Sequence, residues 1–242
     1  MTTDLSKALA GAVHAQENAP ESLDAKISLF KELDSVADPE CTLASSTSAL
    51  LPSAFSSQLA HRERVLVAHP LNPPHLVPAV ELVPAPWTSQ SAMDRVEGLM
   101  LACGQIPIRM RQELPGFVMN RLQGALLHEA FRLIDGGFAT VDDVDAAVRD
   151  GLGMRWSFMG PFETIDLNAP GGVADFMDRY GPAYQAIGDS QSHTIPWNGP
   201  AANAVIGARR AALPAALIAQ RQEWRDRELA RLAVHKRQQS GS

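Results

Sequence analysis

Six residues, Val65-Leu66-Val67-Ala68-His69-Pro70, constrain the fold more than any other stretch of this chain. Four apolar residues followed by His and Pro read as a buried strand that stops where its last side chain reaches a cleft. Similar short runs surround it: Val13 to Gln16, Thr42-Leu43-Ala44, Val80 to Val83 and Ile106 to Ile108. Helical patterns lie between them. Ser22 reads as the N-cap of a helix whose apolar positions are Leu23, Ile27, Phe30, Leu33 and Val36. A short helix is expected from Ser53 to Leu59, and another from Ser91 to Ala102 with Met93, Val96 and Met100 on one face. Strand–helix alternation predicts a mostly parallel sheet, whose ligands sit beyond the carboxyl ends of its strands. His69 and Ser48, the latter in the loop Ser45-Ser46-Thr47-Ser48, both fall there.

Glu81 follows His69 by twelve residues, inside the strand pattern Val80-Glu81-Leu82-Val83. A carboxylate on one imidazole nitrogen fixes the tautomer and raises the basicity of the other, which makes a general base. A His at a strand end is also a common structural residue, so the pattern alone leaves both readings open.

From Pro115-Gly116 the texture turns helical. Val118, Leu122, Leu126, Ala130 and Leu133 form one stripe, and Thr140-Val141-Asp142-Asp143 matches a capping box whose helix is expected to close at Gly151. The Gly- and Pro-containing stretch from Gly181 to Pro200 reads as a long loop. Gln220 to Arg237 reads as a charged, solvated or partner-facing helix, and the Gln-Gln-Ser-Gly-Ser tail as unstructured. The organisation expected is residues 1–112 as a sheet domain and 113–242 as a helical domain.

Two cysteines, Cys41 and Cys103, exclude a disulfide scaffold and show no metal-ligand spacing. A net charge of −6 argues against a nucleic-acid surface. No apolar run reaches membrane-spanning length, and Met1-Thr2-Thr3-Asp4 opens no basic-then-apolar leader, so a soluble cytoplasmic chain is expected.

Several separated motifs resemble the 3-hydroxyacyl-CoA dehydrogenase family. They are Ser45-Ser46-Thr47-Ser48, His69-Pro70-x-Asn72-Pro73-Pro74, Glu81-Leu82-Val83-Pro84 and Pro115-Gly116-Phe117-x-x-Asn120-Arg121. In the helical half, four further segments resemble its lambda-crystallin (L-gulonate 3-dehydrogenase) branch: Gly151-Leu152-Gly153-Met154-Arg155-Trp156, Gly160-Pro161-x-Glu163-Thr164, Leu167-Asn168-Ala169 and Arg221-Gln222-Glu223-Trp224-Arg225-Asp226. The resemblance implies a partial Rossmann-type parallel sheet followed by an all-α dimerisation domain. It implies NAD-dependent oxidation of a small 3-hydroxy acid, L-gulonate-like, by a homodimer. Relatives acting on 3-hydroxyacyl-CoA or carnitine keep those substrates open.

On that resemblance His69 and Glu81 form the catalytic pair, and Ser48 and Asn120 contact the substrate oxygen. Glu21 and Lys26 match a cofactor-contact segment. The residues themselves leave plainer roles open: a turn serine, a helix-start asparagine, and a helix-end charge beside a solvated lysine. Arg155 offers a guanidinium to a substrate carboxylate, or to a surface ion pair. One departure stands out: the family's G-x-G-x-x-G turn, which lets backbone amides approach a pyrophosphate, does not occur in this sequence. The chain reads as starting inside the family's first domain, so NAD binding is expected to be weak or absent. A catalytically impaired, structural dimerising protein is the alternative function.

Overall fold

The computed structural model describes residues 2–239, and its contacts divide the chain into two units, residues 1–122 and 123–242. In the first, the short helix α1 (Leu5–Leu9) precedes β1 (His14–Glu17), α2 (Leu23–Val36), β2 (Thr42–Ser45), α3 (Pro52–Ser56) and β3 (Val65–Pro70). β4 (Ala79–Pro84), α4 (Gln90–Ala102), β5 (Ile106–Arg109) and the start of α5 (Met119–Asp135) complete it.

The five strands form one sheet in the order β1-β2-β3-β4-β5, with every neighbouring pair parallel except β3 and β4. Each face carries its own core. Phe30, Leu33, Leu43, Phe55, Val65, Val67, Val83 and Phe117 pack on the α2 and α3 side. Ala44, Leu66, Ala68, Val80, Leu82, Met93 and Val96 pack on the α4 side. The unbroken apolar run in β3 is what burial on both faces demands. Ser22 caps α2 as expected, its hydroxyl accepting from the Ala25 amide. The helix expected over Ser53 to Leu59 is shorter, Pro52–Ser56, with a separate 3₁₀ turn at Arg62–Arg64.

The second unit is helical. After α5 come α6 (Val141–Ala146), a π-helical turn (Ala147–Leu152), α7 (Gly153–Trp156), α8 (Pro161–Asp166), α9 (Gly172–Ser190), α10 (Pro200–Ala212) and α11 (Ile218–Gln239). Thr140 forms the expected capping box with Asp143. Gly151 does not end the helix: the backbone widens into the π turn and runs on into α7. Gly151 is not among the glycines with positive φ, so the left-handed stop that a terminating glycine supplies is missing. The loop expected from Gly181 begins only after Ser190, because α9 runs through Pro182. Phe176, Tyr180 and Tyr184 share one face, the Phe176 ring centroid lying 4.9 Å from that of Tyr180 and 5.9 Å from that of Tyr184, and these contacts carry the helix across the Gly-Pro step. Of the tail expected to be unstructured, Gln238 and Gln239 continue α11, and residues 240–242 lie outside the described residues.

Candidate active site

His69 is the penultimate residue of β3, and the antiparallel register sets it directly opposite Glu81 in β4. Residues opposed in this way share a face of the sheet, so the two side chains meet without help from a loop. His69 Nδ1 lies 2.8 Å from Glu81 Oε2. The other carboxylate oxygen, Oε1, accepts from the amides of Val118 at 2.7 Å and Met119 at 2.9 Å. These amides belong to the head of α5, a favourable place for a negative charge. Glu81 is completely buried. Burial pushes its carboxyl up, but the hydrogen bonds from His69, Met119 and Val118 outweigh burial and hold it below its ordinary value.

Two consecutive left-handed residues make this geometry possible. Gly116 has φ 80° and Phe117 φ 49°, and the chain turns so that the next two amides converge on one oxygen. Left-handed backbone is uncommon in a bulky residue such as Phe. Phe117 is held by complete burial and by its ring, 5.7 Å from the His69 imidazole centroid. With Nδ1 donating to Glu81, Nε2 carries the lone pair, and His69 is 9% exposed.

Ser48 and Asn120 come together. Asn120 Nδ2 donates to the Ser48 carbonyl at 2.8 Å, tying the loop after β2 to the first turn of α5, and both residues are exposed. Arg155 is exposed on α7 in the second unit. Glu21 accepts from the Thr47 hydroxyl and lies 3.8 Å from Lys26 Nζ. Lys26 is not the solvated lysine that its position near a helix start suggests. It is 1% exposed, with Nζ on both oxygens of Glu17 at 3.0 and 2.9 Å. Glu17, which the sequence reading missed, also accepts from Ser45 Oγ at 2.5 Å. Its signal lay in the strand pattern: Glu17 ends the strand on the same face as Ala15, which packs against the core, and a lysine follows nine residues later. Glu17, Ser45 and Glu81 thus share with His69 the sheet face on which α2 packs, along one end of the sheet.

A cavity of about 680 Å³ lies elsewhere, between the carboxyl ends of β4 and β5, where Pro84, Thr88, Arg109, Arg111 and Glu113 line it. Pro84 pairs with Leu66 near the start of β3, so this space is at the far end of that strand from His69. Among the described residues no group of His, Cys, Asp or Glu could hold a metal ion. No helix among them is long and apolar enough to cross a membrane.

Residues 1–114 match the 3-hydroxyacyl-CoA dehydrogenase NAD-binding domain, and residues 116–197 match the C-terminal domain of the same enzymes. Lambda-crystallin of Oryctolagus cuniculus is 44% identical over 98% of this chain and 74% of its own length. The chain belongs to the 3-hydroxyacyl-CoA dehydrogenase family. It falls in the lambda-crystallin branch, since the lambda-crystallin homolog of Homo sapiens is also 40% identical over 97% of the chain and 74% of its own length. L-carnitine dehydrogenase of a Pseudomonas species is 42% identical over 75% of the chain and 54% of its own length. Among solved structures, an NAD+-dependent dismutase, 5-formyl-3-hydroxy-2-methylpyridine 4-carboxylic acid 5-dehydrogenase, superposes with a TM-score of 0.80 at 25% identity. That match covers 97% of this chain and 76% of the other.

The family's chemistry is NAD-dependent oxidation of 3-hydroxy substrates. Among the described residues, the start of α2 does not suit a pyrophosphate. The first helix to follow a strand, α2, opens at Pro20-Glu21-Ser22 without a glycine, and Ser22 Oγ already caps its Ala25 amide. The Glu21 carboxylate beside that helix start repels an anion.

Proposed function

We propose that His69 is the general base of a small 3-hydroxy acid dehydrogenase and that Glu81 orients it and stabilises the imidazolium. The observation that carries the reading is the 2.8 Å contact between His69 Nδ1 and a buried carboxylate that backbone amides already hold in place. With Nδ1–H directed at Glu81, Nε2 takes the substrate hydroxyl proton as the carbinol carbon is oxidised. Hydride acceptance is what a bound nicotinamide supplies in this chemistry. Ser48 and Asn120, drawn together at the same end of the sheet unit, are the proposed contacts for the substrate oxygen as charge develops on it. Glu21, linked to Thr47 and near Lys26, is the proposed cofactor-side contact, with Lys26 acting through Glu17.

The substrate proposed is L-gulonate-like, on the resemblance of the helical half to the lambda-crystallin branch, and Arg155 is the proposed partner of its carboxylate. In a longer version of the protein that carries the glycine-rich turn and turns over a 3-hydroxy acid with NAD, His69→Ala is expected to lower kcat by about 10²–10⁴-fold. An unchanged kcat in the folded variant sinks the assignment.

A homodimer built by the helical half is also proposed, and apolar exposure supports it. In the second unit Phe138 (80%), Phe158 (71%), Phe162 (76%) and Leu167 (66%) stand open. Isolated exposed apolar residues are ordinary; three phenylalanines this open in one helical unit are side chains that a second copy would bury. One observation favours the alternative, a non-catalytic dimerising protein: the G-x-G-x-x-G turn does not occur in this sequence. A longer gene product that includes the glycine turn would support the enzyme.

A further inference from the structure

On the sheet face opposite Glu81, four polar side chains form a line that ends under His69. Thr42 Oγ1 lies 2.7 Å from His14 Nδ1, and His14 Nε2 lies 3.1 Å from Gln16 Oε1. Gln16 Nε2 then donates to Ser46 Oγ at 2.6 Å and to the Ala68 carbonyl at 2.9 Å. Gln16 belongs to β1, so its side chain reaches over β2 to a backbone group of β3.

That reach has a cause in the ladder. The register of β2 with β3 ends at Ser45 opposite Val67, after which β2 turns off into the loop that holds Ser46 and Ser48. Ala68 is the first β3 residue past that end, and it is completely buried. A buried carbonyl without a donor is costly, and the Gln16 amide supplies the donor that a continuing strand would have provided. The peptide it secures is the one that joins Ala68 to His69. His14 keeps the amide the right way round, because a reversed amide would set Oε1 against the Ala68 oxygen. Burial holds the His14 ring below its ordinary value, against the raising effect of its Gln16 hydrogen bond. A neutral ring with its proton on Nε2 donates to Oε1 and accepts from the Thr42 hydroxyl.

We propose that Gln16 is a positioning residue for His69, fixing the backbone beneath the imidazole while Glu81 fixes the ring. The inference rests on the reading of His69 as the base, but its test does not depend on turnover. The ring Nδ1–H of His69 is observed by ¹H–¹⁵N correlation and identified by its loss in Glu81→Gln. In Gln16→Met, which keeps the length and removes both donors, exchange of that proton with water is expected to accelerate about tenfold, the scale of one lost buried hydrogen bond. Gln16→Glu, which keeps the shape but only accepts, is expected to do the same. Should neither variant fold, His14→Phe leaves Gln16 in place but frees its amide to turn, and carries the same expectation. A purely structural Gln16 would lower the melting temperature and leave the His69 proton unmoved in position and exchange rate, and that result overturns the proposal. His69→Ala with full kcat would remove the base reading while leaving this ring measurement standing, so the two failures are distinguishable.

Discussion

Replacing Glu81 by Gln changes one atom type at the centre of the site, and the structure sets the cost. The carboxylate accepts three hydrogen bonds, from His69 Nδ1, Val118 N and Met119 N. Bonds to a charged acceptor contribute about 1.5–3 kcal/mol each, against about 0.5–1.5 for neutral ones. The Gln oxygen keeps the two backbone amides, whereas its NH2 can only donate to Nδ1 and so moves the His69 proton to Nε2. Three charged bonds thus become neutral ones, at a loss of about 3 kcal/mol. A neutral amide is cheaper to bury, which leaves a net destabilisation of about 2 kcal/mol near neutral pH. The pH dependence has a definite sign. The folded carboxyl sits below its ordinary value of 4.5, so its stabilisation is present above that value and is lost as pH falls through the folded pKa. Urea unfolding of wild type and Glu81→Gln from about pH 7 to pH 3 reads this as a stability gap that closes in acid. Native-state hydrogen exchange of the Val118 and Met119 amides reports the same loss locally. A gap that stays constant across the range, or no gap at neutral pH, would refute the account of how Glu81 is held.

Lys26→Met strips one partner from a buried ion pair whose side chains are each 1% exposed, and is expected to cost about 3–5 kcal/mol in urea melts. Adding Glu17→Gln should recover much of that loss, and a single variant as stable as wild type would mean that Glu17 finds solvent. Isothermal calorimetry of NADH with this chain is expected to register no micromolar binding, because the glycine turn that lets backbone amides approach a pyrophosphate does not occur in this sequence. Micromolar affinity would show that the phosphates are held some other way. Analytical ultracentrifugation at micromolar concentration is expected to find a dimer, and a clean monomer would count decisively against the exposed aromatic surface as an interface.

Where one local rule governed, the sequence was sufficient. Ser22 was readable as a cap because a hydroxyl before a helical stripe has one common use. His69 and Glu81, twelve residues apart, were readable as neighbours because two short strand patterns so close in the chain have few ways to pair. The failures lie where tertiary contacts overrode a local signal. Gly181-Pro182 breaks a helix in isolation, yet the aromatic stack from Phe176 to Tyr184 carries α9 through it. Gly151 signalled a stop that the π turn absorbed. Lys26 looked solvated because the acid that buries it, Glu17, lies on another element. The role of Gln16 depends on a ladder ending two strands away, which no local pattern records.

The helix α5 starts in one unit and finishes in the other, and its first amides close on the carboxylate that steadies His69. On the proposed reading Glu81 supports both a base and the start of a helix, whereas His69 serves the reaction alone. In a descendant of this chain recruited for bulk rather than turnover, selection on the imidazole would lapse first. The histidine could drift only to a side chain that still donates to the buried Oε2 of Glu81 beside Phe117. The glutamate could not, because its loss would unseat the head of α5. A lineage that keeps the acid and discards the base would thus record the order in which an enzyme of this architecture is decommissioned.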